Sequence, residues 1–302
     1  MGPSELKDRA IGKVTVLFGV DGGKYPSGNS LLVRGSEETI LIDPSLAVIP
    51  RHGTLSAVDR VLLSHCHEDH LAGAYLFPEV PCHLHGLDLP GIRTLEGFEA
   101  IYGLPEPIAS QWRKALLERF HFVPRPDALA FSDGDVFELG GARIEVIHAP
   151  GHTRGHSLFS IQPDDVLYLG DIDLSGFGPY YGDAWSDLES FERTLERVRA
   201  VRARWYATFH HIGVLEGREP FLERLERFAS SIQNRETRLL EFLKEPHTLD
   251  EVVAHRFIYR PSQTGVIVDP VERRSMGQHV ERLIGRDRVR EVEPGRFQAL
   301  AS

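Results

Sequence analysis

The chain has 302 residues, of which 41% are hydrophobic and 26% charged, a balance that fits neither a disordered chain nor a membrane protein. A formal net charge of −10 gives no whole-molecule attraction to nucleic acid or anionic membranes. No apolar run reaches the roughly 18 residues that span a bilayer, and the length allows one large domain or a domain with an appendage.

Residues 1–10 lack the apolar stretch of an export signal, and two cysteines, Cys66 and Cys82, are too few for a disulfide framework. A cytoplasmic protein is expected. Val14–Phe18 reads as a strand, followed by a turn-rich stretch from Gly19 to Asn29. Ser30–Arg34 and Thr39–Asp43 then form a hairpin across Gly35–Glu38. Val58–Leu63 has the length and β-branched character of a buried strand. Directly after it, Ser64-His65-Cys66-His67-Glu68-Asp69-His70 crowds three imidazoles and the Asp69 carboxylate into a few residues. Leu71–Leu76 is expected to begin a helix, and residues 83–130 form an insertion with a helix around Leu116–Phe120.

After the turn Asp133-Gly134-Asp135, Val136–Leu139 and Ala142–Ile147 read as a hairpin over Gly140-Gly141. It delivers a second motif, His148-Ala149-Pro150-Gly151-His152-Thr153-Arg154-Gly155-His156. Strands Leu158–Ile161 and Val166–Leu169 follow, the latter ending in Gly170-Asp171-Ile172-Asp173. Asp187 caps a helix over 188–202 with the stripe Leu188, Phe191, Leu195 and Val198. Trp205–Phe209 is a strand ending in His210-His211, and a helix runs from Pro220 to Lys244. Residues 245–302 look like a separate unit: a capping box at Thr248–Glu251, a helix over Val271–Ile284, and a hairpin of Val289–Val292 with Arg296–Leu300.

Neutral imidazoles and carboxylates suit zinc, manganese or iron. An H-x-H-x-D-H run on one loop can point alternate residues toward two adjacent metal positions. Two such metals can hold a bridging hydroxide at neutral pH and polarise a carbonyl or phosphoryl oxygen, so no protein nucleophile is needed. A lone His-x-His carries little. The argument comes from metal-type residues arriving at four strand ends: after Leu63, after Ile147, after Leu169 and after Phe209. Ser64 reads as a turn residue, Cys66 as packing, and His148 and His156 as structural. Asp173 is either a second layer of the site or a turn cap.

The order H-x-H-x-D-H, G-H-T-x-G-H, G-D and a final strand-end His resembles the metallo-β-lactamase-fold hydrolases over roughly residues 12–230. Gly28-Asn29-Ser30 with Leu41-Ile42-Asp43, and Asp133-Gly134-Asp135, are similar to other family landmarks. The resemblance implies an α+β fold, a four-layer αββα sandwich over residues 1–244, with 245–302 as a small winged-helix-like accessory unit. It also implies that His65, His67 and His152 bind one metal, that Asp69, His70 and either His210 or His211 bind a second, and that Asp171 bridges them. Strand length before the last motif favours His210, whereas the downstream Val214 favours His211. Asp69 would also act on the attacking water as the catalytic carboxylate. The implied cofactor is a pair of divalent ions, taken as zinc, with iron or manganese compatible.

The G-H-T-x-G-H motif resembles the thioesterase and glyoxalase-II-like branches most closely, so the expected activity is hydrolysis of a small ester, thioester or lactone. The alternatives are a phosphodiesterase or ribonuclease of the same fold, or an iron-dependent persulfide oxygenase. Residues 247–302 carry nine Arg against eight Asp and Glu, too even a balance for a phosphate-binding footprint. The expected partner is therefore a small molecule, with no nucleic acid, no membrane, and a homodimer compatible. Tyr180 and Tyr181 lie near Asp171 in sequence, and Tyr181 is taken as the donor to a substrate oxygen, with packing as its alternative role.

Overall fold

The computed structural model describes residues 7–55 and 57–300. Residues 1–6, part of the stretch read for an export signal, and 301–302, the end of the expected C-terminal unit, lie outside the described residues. Among the described residues no helix is long and apolar enough to cross a membrane.

Period-two alternation decides the architecture. In β3 (Ser30–Arg34) and β4 (Thr39–Ile42), Leu31, Val33, Ile40 and Ile42 point to one buried cluster while Leu32 and Leu41 point to another. These strands therefore need cover on both faces, and burying each such side chain contributes about 1.5–3 kcal/mol. They lie in a seven-stranded sheet that runs in chain order from β1 (Arg9–Ile11) and β2 (Val14–Leu17) through β3, β4 and β5 (Arg60–Leu62) to β6 (Cys82–His85) and β7 (Leu129–Phe131). Pairing is antiparallel up to β4 and parallel beyond it.

The second sheet has six strands: β8 (Val136–Glu138), β9 (Arg143–His148), β10 (Ser157–Gln162), β11 (Val166–Tyr168), β12 (Trp205–Ala207) and β13 (Val214–Glu216). Its order is sequential, and only the β11–β12 pair is parallel. Ile144, Val146, Phe159, Ile161 and Tyr168 face the first sheet and form the central core with it. The outer face of the first sheet is covered by α1 (Leu89–Arg93), α2 (Leu95–Tyr102) and α3 (Ile108–Arg119), through Ile92, Phe98, Ile101, Trp112 and Leu116. The outer face of the second is covered by α4 (Leu188–Ala200) and the first half of α5 (Arg218–Phe242), through Phe191, Leu195, Phe221, Leu225 and Phe228. The order helix, sheet, sheet, helix is the expected four-layer sandwich.

Three sequence expectations change. The helix expected from Leu71 is a single 3-10 turn, Ala74–Leu76, because Gly73 precedes it and Pro78 follows closely. The insertion over 83–130 is woven into the sheet, since β6 and β7 close its two ends. The boundary after residue 244 falls at the end of a helix that two cores share. Leu239 and Leu243 pack with Val252, Met276, Leu283 and Val289, drawn from α6 (Leu249–His255), α7 (Val268–Gly285) and β15 (Val289–Glu293). A small sheet of β14 (His247–Thr248), β16 (Arg296–Ala299) and β15 completes this unit. The capping box appears as read, with Thr248 and Glu251 bonded reciprocally at the start of α6.

Helix α7 also returns to the sandwich. Gln278 Oε1 accepts from Leu188 N at 2.7 Å and its Nε2 donates to Tyr181 O at 2.8 Å, while Arg282 reaches Glu192 and Glu236.

Candidate metal centre

Five strands of the two sheets, β4, β5, β9, β11 and β12, end at one rim of the sandwich, and the loops that follow them carry the polar residues. Rigid strands aim these loops, and the burial of the loop side chains follows from the facing sheet. His65, His70 and His152 are almost wholly buried, as are His67, Asp69 and His210.

Ligand-type atoms of His65, His67, His152 and Asp171 lie within 4.8 Å of one another, and those of Asp69, His70 and His210 form a second group of the same tightness. His65 Nε2 is 3.0 Å from His67 Nδ1 and 3.1 Å from His152 Nε2. On the other side, His210 Nε2 is 3.0 Å from Asp69 Oδ2. Asp171 stands between the groups: its Oδ2 is 3.1 Å from His152 Nε2, and its Oδ1 is 3.0 Å from His70 Nε2 and 3.8 Å from His210 Nε2. His211 does not join either group. The chain turns through φ +60° there, and the His211 side chain stays 37% exposed beside Asp173, 3.8 Å away.

Apart from His67 Nε2, the outward nitrogens are each matched to a hydrogen-bond partner, which orients the rings. His152 Nδ1 donates to Tyr180 O at 3.0 Å and His210 Nδ1 to Gly23 O at 2.6 Å; a carbonyl can only accept, so it is Nε2 of each ring that faces inward and would offer its lone pair to a cation there. His70 Nδ1 meets Asp43 Oδ2 at 2.8 Å, and His65 Nδ1 meets Ser64 Oγ at 3.0 Å. His67 Nε2 sits 3.0 Å from Asp183 Oδ2, at ion-pair distance but off the line of a hydrogen bond. Lone pairs brought to within about 3 Å of each other repel unless a proton or a cation lies between them. The inward set, imidazole nitrogens plus carboxylate oxygens with ordered partners behind them, fits two divalent cations.

Charge follows the same geometry. Burial pushes the Asp171 carboxyl up, but His70, His210 and His152 outweigh it and hold the group well below the usual carboxylate range. Burial pushes His210 down, and Asp171 with Asp69 overcomes it, raising the ring to about 9. Burial and the neighbouring imidazoles push His65 below its ordinary value. His156 is held neutral at about 3, chiefly by burial, so it accepts from Asp171 N at 3.1 Å while its Nδ1 meets Ala149 O, also at 3.1 Å. It shapes the loop without facing the centre. Gly170, at φ +51°, is required beside it, because a Cβ there would lie 2.7 Å from His156 Nε2.

Several further residues support the centre in roles the sequence reading does not give them. Asp43, fully buried, accepts from Ser64 N and Ser64 Oγ at 2.6 Å each, and from Tyr168 OH at 2.6 Å. Asp88 accepts from Thr153 Oγ1 at 2.6 Å and Gly155 N at 2.7 Å, fixing the second motif. Glu68 accepts from Tyr25 OH at 2.9 Å and from Tyr102 OH, and burial pushes its carboxyl up to about 7. Cys66 packs in the helix-covered core, and burial drives its thiol up, so it offers no nucleophile.

The two groups open on a cavity of about 1050 Å³, with Asp69, His152 and Asp171 at its floor. Tyr180 lines it and donates to Asp183 Oδ1 at 3.0 Å. Tyr181, the expected substrate donor, is turned away: it is 1% exposed, and its hydroxyl meets His279 Nε2 and accepts from Arg235 Nη1, each at 2.9 Å. Adjacent residues in an extended segment point to opposite sides, and here the cavity side falls to Tyr180.

The sequence pattern of the metallo-beta-lactamase superfamily matches residues 24–211. An acyl-coenzyme A thioesterase of Homo sapiens is 29% identical over 184 residues, which is 53% of this chain and 64% of that protein. An atrochrysone carboxyl ACP thioesterase of Aspergillus fumigatus is 28% identical over 148 residues, 49% of this chain and 36% of that protein. The chain thus matches less than two thirds of the length of these relatives. Among solved structures, a metallo-beta-lactamase family protein from Thermus thermophilus is similar with a TM-score of 0.71 at 25% identity, covering 95% of this chain and 99% of the other.

Proposed function

We propose that this chain, which belongs to the metallo-beta-lactamase superfamily, is a hydrolase that binds two divalent metal ions, zinc in the first instance, and cleaves a small-molecule thioester. The observation that carries the two-metal reading is Asp171, whose two carboxylate oxygens face different ligand groups. His65, His67 and His152 would hold one ion and Asp69, His70 and His210 the other, with Asp171 between them. The two relatives named as thioesterases support the choice of a thioester.

Bound there, the ions would lower the pKa of a water ligand toward neutrality and polarise the substrate carbonyl. The chain's own residues divide the remaining work. Burial pushes the Asp69 carboxyl up, but His70 and His210 outweigh it and keep the group ionised, able to take a proton from the attacking water and return it to the leaving thiolate. Ser64 is excluded as a nucleophile because it is fully buried and its Oγ donates to Asp43. Both cysteines are buried and unpaired, which supports a reducing compartment such as the cytoplasm.

The test is elemental analysis of the purified protein combined with turnover of thioesters, lactones, phosphodiesters and persulfides. Two metals per chain and release of free thiol from a thioester are expected. A single metal with dioxygen uptake on a persulfide would overturn the reading.

A further inference from the structure

One part of the cavity wall does not come from the sandwich. It is formed by the irregular segment between α6 and α7, which contributes Ile258, Tyr259 and Ile267. A loop without a sheet or helix of its own needs partners for its backbone amides. Three consecutive ones converge on one side chain, Glu272 of α7, which is fully buried. Phe257 N lies 3.1 Å from Oε2, and Ile258 N and Tyr259 N lie 2.9 Å and 2.7 Å from Oε1. Three backbone amides bonded to one buried side chain tie the start of the segment to α7. Arg238 Nη1 adds a donor to Phe257 O at 3.1 Å.

Helix α7 is itself fixed to the loop that positions the metal centre. Gln278 and His279 hold Tyr181, the residue after Tyr180, whose carbonyl orients His152. The distance from wall to ligand groups is therefore set by a short chain of buried contacts. The half-buried part of this segment in the lining is apolar, Ile258, Ile267 and the ring of Tyr259, which lies 5.6 Å from that of Phe177, while Arg260, Ser262 and Gln263 line the cavity from its exposed part.

We infer that Glu272 is a positioning residue that holds the Phe257–Ile267 segment as the acyl-selecting wall of the site, so that the chain prefers thioesters with a long aliphatic acyl group. This rests on the thioester reading above. The wall offers a sheltered apolar surface to the part of the substrate beyond the carbonyl, and each methylene removed from water there contributes roughly a fourfold gain. The inference gives the C-terminal unit a part in selecting the substrate.

The experiment compares kcat/KM for acetyl- and octanoyl-coenzyme A in the wild type, in Glu272→Gln and in Tyr259→Ala, with metal content read separately. An amide at 272 can accept from at most part of the trio and turns its own N–H toward the rest. The wild type should favour octanoyl by roughly thirtyfold or more, about half of the added methylenes being sheltered. In both variants the octanoyl advantage should shrink roughly tenfold, through KM rather than kcat, with metal content held. Tyr259→Ala alters only the cavity face, so it decides the matter if Glu272→Gln does not fold. Turnover of both thioesters with no chain-length preference, or a preference that neither variant moves, would overturn this inference and leave the thioesterase reading standing. No thioester turnover in the wild type would overturn both, and loss of metal in step with activity would show that Glu272 supports the centre and not the wall.

Discussion

Asp43 offers the sharpest separation of ligand from support. It is fully buried, and its two oxygens accept four donors: Ser64 N, Ser64 Oγ, Tyr168 OH and His70 Nδ1, at 2.6 to 2.8 Å. Replacing it by Asn keeps its shape, and the residue sits at φ +46°, where Asn is among the best tolerated side chains. The effect then comes from hydrogen bonding alone. One oxygen becomes an NH2 group aimed at a donor; if it takes the place of Oδ1, the Ser64 amide is orphaned, and if it takes the place of Oδ2, three donors are. Each orphaned buried donor costs about 1–3 kcal/mol, and the amide settles in the orientation that orphans only the Ser64 N–H, so Asp43→Asn should lose about 1–3 kcal/mol. At roughly 2–4 °C per kcal/mol, thermal denaturation of metal-free protein should show a fall of roughly 6 °C. In either orientation His70 loses the carboxylate that fixes its ring and keeps at best a neutral amide oxygen, so affinity for a metal held by Asp69, His70 and His210 should fall roughly tenfold to a hundredfold in a competition titration with a chromophoric chelator. Unchanged affinity for both metals would refute the claim that Asp43 orients His70, even if the protein were less stable.

Replacing Asp171 by Ala removes the carboxylate that faces both ligand groups, so elemental analysis should find one metal per chain or none, with turnover down by roughly a thousandfold; two tightly held metals with activity intact would refute its bridging place. His85 tests a different part of the protein. Burial, aided by the His148 ring stacked 4.1 Å away, pushes its imidazole down to about 4. The folded state thus binds its proton less readily than the unfolded chain, so the stability His85 contributes is fully present above about pH 6.5 and is lost as pH falls through the window to about 4, at most about 3 kcal/mol. Urea titrations at a series of pH values should show a flatter acid limb for His85→Gln than for the wild type; parallel limbs would refute the assignment.

The legible parts of the fold are those where one physical signal dominates. Strands β3 and β4 read as unbroken apolar runs because their two faces are buried in different cores, β9 alternates because Arg143 and Glu145 lie on the face opposite Ile144 and Val146, and the bounds of all three fall within a residue or two of the sequence reading. Among the strands that escape notice, β1, β7 and β13 have three residues each, mostly exposed or half-buried, too short to show a period of two, and β6, though buried throughout, is masked by its two histidines. Helices α1 and α2 escape because Pro90, Gly91 and Gly97 interrupt their pattern, although Gly97 N is satisfied by the Thr94 cap at 2.9 Å. The C-terminal boundary misleads for a related reason. The apolar stripe of α5 continues from Phe228 and Ile232 into Leu239 and Leu243 without a break, and nothing in that stripe marks the point where the helix leaves one core for the other.

At the metal centre, the inward residues are legible and their supports are not, and chemistry explains the split. A ligand must be an imidazole or a carboxylate, so His65, His67, Asp69, His70, His152, Asp171 and His210 advertise themselves by type and by arrival at strand ends. The groups that orient them need only be acceptors, and main-chain carbonyls serve: Tyr180 O for His152 and Gly23 O for His210, neither of which leaves a trace in side-chain identity. Where a side chain is used instead, as with Asp43 on His70 or Asp183 beside His67, it lies 27 residues from its partner in the first case and far along the chain in the second, so proximity in sequence is silent. The same reasoning separates His210 from His211. Both follow the same strand, and only the turn at φ +60° decides which imidazole reaches inward and which stays beside solvent. A backbone conformation at one residue thus selects the seventh member of the inward cluster, and side-chain type alone could not have done so.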